Sequence, residues 1–153
     1  MNFSKLESSR QVVKLCKENL FGLSTMHIPG KIVVHKIHPQ AEFPHKEKVS
    51  DATWEITLVN RAENRAEDET GEINEFGTGL QFNPPEGYFL EFIANNTLHR
   101  HGYMMPGLII VERGKNGELI IPLYKFRDTD GLQLPFRAVQ LIISTSLYAH
   151  ISN

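Results

Sequence analysis

The sequence predicts an all-β fold of the jelly-roll or barrel type, preceded by one amino-terminal helix. After Lys31, many short apolar runs are separated by turn residues, as in β-sandwiches and barrels. No long helical pattern alternates with these runs, which excludes a parallel α/β sheet. A length of 153 residues predicts one compact unit. We therefore divide the chain into a helical extension at residues 1–30 and a β domain at 31–153.

The predicted helix spans residues 4–20. Apolar residues recur there at three- and four-residue spacing, and they are Leu6, Val13, Cys16 and Leu20. Ser4 with Glu7 predicts a capping box at the start of the helix, and Gly22 is a stop signal. Its mixed charge favours a helix that packs on its own domain over one that lies on a membrane.

Seven strands are predicted from runs rich in β-branched and aromatic residues. They are residues 32–37, 53–59, 79–82, 88–94, 108–111, 118–126 and 138–144. Asn116-Gly117 is the strongest turn signal, and residues 114–117 are interpreted as a hairpin turn, with a phosphate cradle as the alternative. Residues 61–70 carry many charges and no large apolar side chain, which predicts a solvated, mobile surface loop, with a partner-binding loop as the alternative.

Charge and cysteine content exclude several classes of protein. A formal net charge of -2 is a poor match for binding to a nucleic-acid polymer. The single cysteine excludes a disulfide within the chain, and the longest apolar runs are too short to span a bilayer. No secretory signal opens the chain. The sequence therefore predicts a soluble, intracellular protein without a membrane partner.

The histidines suggest a weak metal hypothesis. His99 and His101 would face one side of an extended segment and form a His-x-His pair for zinc. No nearby His, Asp or Cys completes a recognisable ligand spacing. We therefore assign no metal ligand from the sequence.

Residues 78–88 read Thr-Gly-Leu-Gln-Phe-Asn-Pro-Pro-Glu-Gly-Tyr. This string resembles a segment of the trimeric dUTPase family, in which a Thr-Gly-aliphatic strand runs into a Pro-x-Gly-Tyr turn. Other motifs of the family are matched in order by residues 52–56, 94–98, 117–126 and 137–142. The resemblance implies a dUTPase-like jelly roll or β-barrel, which is also called the β-clip fold. It also implies a homotrimer, and the apolar residues 141–147 fit a contact between its subunits.

The enzymes of this family convert dUTP to dUMP and diphosphate by attack of water on the α-phosphorus, with Mg²⁺ clamping the triphosphate. The resemblance puts Glu112 at the position of the Asp that activates the water, and an alignment shift would put Ile110 there. One additional methylene displaces the carboxylate, and about 1 Å of misplacement can cost about 100-fold in rate. Glu55 stands for the Asp linked to the metal site, and Lys115 for the Tyr of the deoxyribose pocket.

The second motif departs further from the family. Its phosphate-binding Arg and Ser become Asn95 and Asn96, and its Gly becomes Thr97. A neutral amide cannot replace a bidentate guanidinium as a phosphate donor. Gln140 alone keeps a phosphate-contacting residue of the family. The Gly-rich carboxy-terminal arm of the family is not found before Asn153.

These replacements favour a non-catalytic interaction or structural module built on a dUTPase-like trimer. Such a module would have an unknown protein partner and no cofactor. One interpretation is a viral protein that acts in a host cell. Its expected contact surfaces are residues 4–20 and 61–70. The alternative is a nucleotide-binding or dUTP-hydrolysing enzyme that uses Mg²⁺. Its working residues would be Glu55, Glu112, Asn95, Asn96, Lys115 and Gln140. A third activity, that of the related dCTP deaminases, is disfavoured because residues 119–123 lack the acid that those enzymes use.

Overall fold

The structure, a computed structural model, describes residues 10–14, 31–62 and 68–146. These residues form short strands and one helical turn, α1. The elements are β1 Arg10–Lys14, β2 Lys31–Lys36, β3 Trp54–Leu58, β4 Asn60–Arg61, β5 Ile73–Gly77, β6 Leu80–Asn83, β7 Tyr88–Ala94, α1 Thr97–Arg100, β8 Tyr103–Met104, β9 Ile109–Val111, β10 Ile120–Lys125 and β11 Phe136–Thr145. The predicted all-β class is confirmed.

The strands form three antiparallel sheets. Their orders are β1-β2-β6, β4-β5-β10-β8 and β3-β11-β7-β9. Consecutive strands of the chain often lie in different sheets, as in a jelly roll. Within the described ranges, the three sheets stay separate and do not close into the barrel that was the other predicted form.

The core lies between the sheets and follows from alternation along the strands. In β10, alternate residues are buried, beginning with Ile121 and Leu123. Aromatic rings fill the space between strands: Phe82 meets Phe92 with ring centroids 5.1 Å apart, and Phe76 meets Tyr103 at 6.2 Å, both edge-to-face. Burial of these side chains fixes which face of each strand points inward.

All seven predicted strands are confirmed, with bounds that agree to within two residues. The sequence did not predict β1, β4, β5 and β8 as strands. In β5 the inward position Asn74 is polar, which interrupts the expected alternation. Its amide is satisfied locally, because Asn74 Oδ1 accepts from Glu69 N at 3.0 Å and Nδ2 donates to Glu69 O at 3.1 Å.

The predicted amino-terminal helix is wrong at residues 10–14, which form β1. This strand pairs with β2, and Val12 lies opposite Val33. Pairing with β2 gives the main chain of β1 hydrogen-bond partners, and its β-branched valines favour extended backbone. The remainder of 4–20 lies outside the described residues. The division at residue 30 stays a prediction.

The predicted solvated loop is wrong at Arg61 and Asp68, whereas Glu69 and Thr70 are exposed as predicted. Asp68 is 1% exposed in its side chain and accepts from Arg61 Nε at 2.7 Å. The hydroxyl of Tyr103 donates to the same carboxylate. Arg61 Nη2 donates to Leu132 O at 3.1 Å, and Lys125 Nζ to Asp68 O at 3.2 Å. Residues 63–67, in the middle of the predicted loop, are outside the described ranges.

This cluster, named here the Asp68 network, also shifts two ionisation equilibria. Burial raises the pKa of Asp68, but the hydrogen bonds from Arg61 and Tyr103 outweigh burial and leave the pKa below its ordinary value. Burial, followed by the hydrogen bond to Asp68, raises the pKa of the Tyr103 phenol. The network therefore holds a charged carboxylate beside a neutral phenol donor.

Among the residues that the structure describes, no helix has the length and apolar character needed to cross a bilayer.

Candidate functional site

A polar cleft of about 320 Å³ lies at the β3–β11 edge of the third sheet. Its lining residues are Lys46, Glu47, Asp51, Ala52, Thr53, Glu55 and Gln140. Glu55 in β3 lies directly opposite Gln140 in β11, so both side chains share one face of the sheet. Two of the predicted site residues are thus neighbours.

A β-bulge brings Arg137 to the same face. The register of β11 against β3 shifts between Arg137 and Val139, which leaves Ala138 as the additional residue. As a result, Arg137 and Gln140 lie on one face although they are three positions apart. Arg137 Nη1 lies 3.5 Å from Glu55 Oε2, with side chains 47% and 29% exposed. This exposed pair contributes little stability, but it partly neutralises the carboxylate.

Among the residues that the structure describes, one lysine, Lys46, lines the polar cleft, and its own loop holds it. Lys46 Nζ donates to Asp51 O and lies 4.9 Å from the centroid of the Trp54 ring. Lys48 N donates to Asp51 Oδ2 at 2.9 Å. Three carboxylates therefore share the cleft with one lysine whose ammonium already has a carbonyl partner.

The acids in this cleft do not form a metal site. Across the described part of the chain, no group of three or more His, Cys, Asp or Glu side chains is placed to hold a metal ion. Mg²⁺ prefers near-octahedral oxygen ligands. Residues of the cleft do not provide such a set, so Mg²⁺ does not fit this arrangement without other ligands.

Asn95 has a structural role at the end of β7. Its Nδ2 donates to Arg137 O at 2.8 Å, and its Oδ1 accepts from Thr97 N at 3.0 Å. The second bond starts the turn of α1, while the first ties α1 to the bulge in β11. Asn96, the N-cap of α1, is exposed and makes no side-chain capping bond. The Asn95 amide, at the position that the resemblance assigned to a phosphate-binding arginine, thus holds the backbone.

A second cleft, of about 270 Å³, separates β9 from residues 115–120. We call it the apolar cleft, and its walls include Phe82, Ile109, Val111, Leu119 and Ile120. Lys115 also lines it and donates from Nζ to Ile110 O at 3.0 Å. Glu112, the candidate for the water-activating position, is exposed in the turn after β9.

The hairpin predicted at residues 114–117 is wrong, although the chain does turn there. Lys115 N donates to Glu112 O at 3.3 Å. The flanking strands do not pair with each other, because β9 pairs with β7 and β10 pairs with β5 and β8. The strands separate into different sheets, and the apolar cleft opens between them.

The predicted site residues form two groups within one chain. Glu55 lies in β3 and Glu112 follows β9, and these strands are the opposite edges of the β3-β11-β7-β9 sheet, about 14 Å apart across three strand spacings. Gln140 is opposite Ile93, whereas Val111 is opposite Leu90, so the two groups are also offset along the strands. The polar cleft contains Glu55 and Gln140, with Asn95 near the bulge. Lys115 and Glu112 belong to the other edge.

The histidine pair takes part in aromatic packing. His99 lies in α1, with its ring centroid 6.2 Å from that of Phe126. His101 follows α1 and packs edge-on against Phe136 at 4.9 Å. The extended segment assumed for a His-x-His zinc pair is a helical turn instead.

Comparisons with solved structures identify the architecture. The dUTPase of Staphylococcus bacteriophage 80alpha with dUpNHpp matches at a TM-score of 0.66 and 15% identity, covering 80% of this chain and 86% of that chain. The dUTPase of Streptococcus mutans matches at 0.62 and 16%, covering 74% and 96%. The fold is that of the dUTPases. No family model and no curated protein matches the sequence.

The dUTPase fold confirms the resemblance stated from the motifs. A further match is a dUTPase mutant from phage phi11 of S. aureus, with a TM-score of 0.66, 15% identity and coverage of 80% and 95%, in which a structural Mg(II) ion is coordinated. Identities this low establish the fold alone.

Proposed function

We propose that this protein is a non-catalytic module on the dUTPase fold that acts through contact with another protein. One observation carries the proposal: the polar cleft has three carboxylates and one lysine that is already bonded within its loop. A triphosphate requires cationic, geometrically matched donors. The carboxylates of this cleft would repel it, the neighbouring cation Arg137 is already paired with Glu55 at 3.5 Å, and the amide of Asn95 is committed to the backbone.

The dUTPases of phage 80alpha support a role beyond catalysis. Phage dUTPases control the transfer of virulence genes by a mechanism likened to that of proto-oncogenic G proteins. By analogy, we propose an intracellular protein of viral origin with an unidentified protein partner. The dUTPase fold would then serve as a scaffold in the host cell.

We expect neither binding nor hydrolysis of dUTP by the wild-type protein. Thermal unfolding with Mg²⁺ and millimolar dUpNHpp should give the same midpoint as the protein alone, since the polar cleft repels the triphosphate. A ligand at 100 times its dissociation constant would stabilise by about 2.7 kcal/mol, which is readily measured. Phage 80alpha dUTPase under identical conditions is the positive control.

The alternative function is a dUTP-hydrolysing enzyme with an altered site. The adjacency of Glu55 and Gln140 favours it, and so does the exposed carboxylate of Glu112. Mg²⁺ would then be held largely by the phosphates of the nucleotide. Diphosphate release that disappears in Glu112→Ala would establish this alternative and overturn the non-catalytic proposal.

We also propose that the chain forms a homotrimer, as the resemblance to dUTPases implies. An apolar row crosses the outer face of the second sheet, where Tyr124 lies opposite both Ile73 and Met104. Ile73 is 51% exposed and Met104 39%. Contact between copies would bury this row. In the contact first expected at 141–147, Leu141 is 3% exposed and packs in its own core, so Leu141 does not contribute to it.

Ile73→Glu should convert the trimer to a monomer. A buried carboxylate at a subunit contact costs several kcal/mol unless it is paired. Light scattering after size exclusion should give three times the 17.4 kDa chain mass for the wild type and a single chain mass for the variant. Ile37→Glu is the matched control, since Ile37 is also 51% exposed but lies after β2. A monomeric wild type, or a trimeric Ile73→Glu, would refute this contact.

A further inference from the structure

Asn116-Gly117, the strongest turn signal in the sequence, lies in a segment between strands of different sheets. Both residues are exposed and lie between β9 and β10. In a hairpin, the flanking strands would pair and fix the backbone of the turn. Here β9 pairs with β7, whereas β10 pairs with β5 and β8. The backbone at residues 116–117 is therefore free of the constraint that a hairpin imposes.

The main-chain nitrogen of Gly117 is available for reaction. Within the described ranges, neither its N–H nor the amide of the Asn116 side chain has a hydrogen-bond partner. Gly117 has a φ of +118°, and a Cβ added there would meet nothing within 4 Å. Among the described residues, this nitrogen therefore reaches the Asn116 side chain without breaking a hydrogen bond or displacing a neighbour.

An asparagine that precedes a glycine carries its own electrophile beside a main-chain nucleophile. When the Gly117 nitrogen attacks Cγ of Asn116, an N–Cγ bond forms, the Cγ–Nδ2 bond breaks, and ammonia leaves with the proton of the attacking nitrogen. Attack within one chain is favoured because the reacting groups are already held together. Water then opens the cyclic imide at either of its two carbonyl carbons. One opening gives aspartate, and the other gives isoaspartate, in which the main chain runs through the former side chain.

We propose that Asn116-Gly117 is a site of spontaneous deamidation and main-chain rearrangement that alters one wall of the apolar cleft. Asn116 and Glu118 both line this wall. Either product therefore places a second carboxylate close to that of Glu118. The reaction uses water alone, so it proceeds in the purified protein. This inference concerns the covalent chemistry of the chain and does not depend on the loss of dUTP hydrolysis.

The isoaspartate product has a structural consequence because the segment is anchored on both sides of the reaction site. Before the site, Lys115 N donates to Glu112 O at 3.3 Å, and after it, Leu119 N donates to Leu80 O at 2.8 Å. Isoaspartate adds one methylene to the main chain between these two bonds. We therefore expect the hydrogen bond of Leu119 N to open more often after the rearrangement.

The test follows each asparagine by peptide mass spectrometry while the full-length protein is incubated at physiological temperature and pH. Two other exposed asparagines of the same chain are internal controls. Asn83 precedes Pro84, which has no N–H to lose. Asn96 precedes Thr97, whose N–H already donates to a side-chain oxygen at 3.0 Å. The exposed Asn116→Gln is the matched variant, because its longer side chain would have to close a larger ring.

We expect Asn116 to convert at least about tenfold faster than Asn83 or Asn96, because its neighbour is an unbonded glycine nitrogen. Isoaspartate should appear among the products, since direct hydrolysis of the side-chain amide by water gives aspartate alone. Asn116→Gln should keep its amide over the same period. Equal rates at the three asparagines, aspartate without isoaspartate, or equally fast loss of the amide in Asn116→Gln would each overturn the proposal.

Hydrogen exchange measured by NMR tests the effect on the wall of the cleft. The Leu119 amide should exchange at least about threefold faster in the isoaspartate form than in Asn116→Asp, because local opening sets the exchange rate. Asn116→Asp carries the same charge without the additional methylene. Equal exchange in the two proteins would overturn the proposed change in the wall. Hydrolysis of dUTP by the wild type would instead overturn the non-catalytic proposal alone.

Discussion

Asp68→Ala is expected to lower the free energy of unfolding by about 3–5 kcal/mol, the cost of breaking a buried ion pair by removing one partner. The Asp68 side chain is 1% exposed and accepts from Arg61 Nε and the Tyr103 hydroxyl. Without the carboxylate, the guanidinium loses its anion and the phenol loses its acceptor. The phenol then bears its desolvation cost uncompensated, and among the described residues the guanidinium keeps only the Leu132 carbonyl as a hydrogen-bond partner. Urea denaturation at pH 7 measures the loss.

The pH dependence of this loss tests its electrostatic origin. The native pKa of Asp68 lies below its ordinary value of 3.8, although burial alone would raise it. A depressed native pKa adds stability above the unfolded value, and this stability disappears as the pH falls through the native pKa. The difference between wild type and Asp68→Ala should therefore shrink below pH 3.8. The exposed Asp128→Ala is the control and should change stability by less than about 0.5 kcal/mol. A difference that stays constant into acid would contradict the ion-pair explanation.

The fold was predictable because burial imposes alternation on most strands. Residues 88–94, for example, were predicted with the bounds that β7 has in the structure. The prediction failed where a tertiary partner replaces the local signal. β5 carries a buried Asn74 whose amide is bonded within the fold, and the backbone of β1 is hydrogen-bonded to β2. The spacing of apolar residues along the chain shows neither of these tertiary partners.

The candidate site was predictable by residue type but not by geometry. Glu55 and Gln140 were both singled out, and the register of β3 against β11 does place them together. No local sequence signal marks the bulge that turns Arg137 towards Glu55. Likewise, an Asn at position 95 could bind a ligand or hold a turn, and only its bonds to Arg137 and Thr97 distinguish the two roles.

Gly79→Ala should destabilise the protein by more than about 3 kcal/mol, a size reserved for severe strain or core disruption. Gly79 has a φ of +66°, which an L side chain rarely adopts. An added Cβ would lie 2.7 Å from the Cβ of His38 and 2.8 Å from that of Ala41. Neither atom can rotate away, since both are fixed directly to the backbone. Thermal unfolding or urea denaturation measures the loss.

Gly87→Ala separates the contribution of backbone strain from that of steric contact. Gly87 has a φ of +83°, but an added Cβ would meet nothing within 4 Å. Left-handed backbone alone costs an L residue about 1–2 kcal/mol. An equal loss in both variants would mean that strain, not the contact with His38 and Ala41, sets the cost. Gly79 also supports one wall of the apolar cleft, because Gly79 N donates to Glu118 Oε1 at 2.7 Å and Glu118 lines that wall. If Gly79→Ala loses more stability than Gly87→Ala, the displacement of Gly79 should loosen this wall as well as the core.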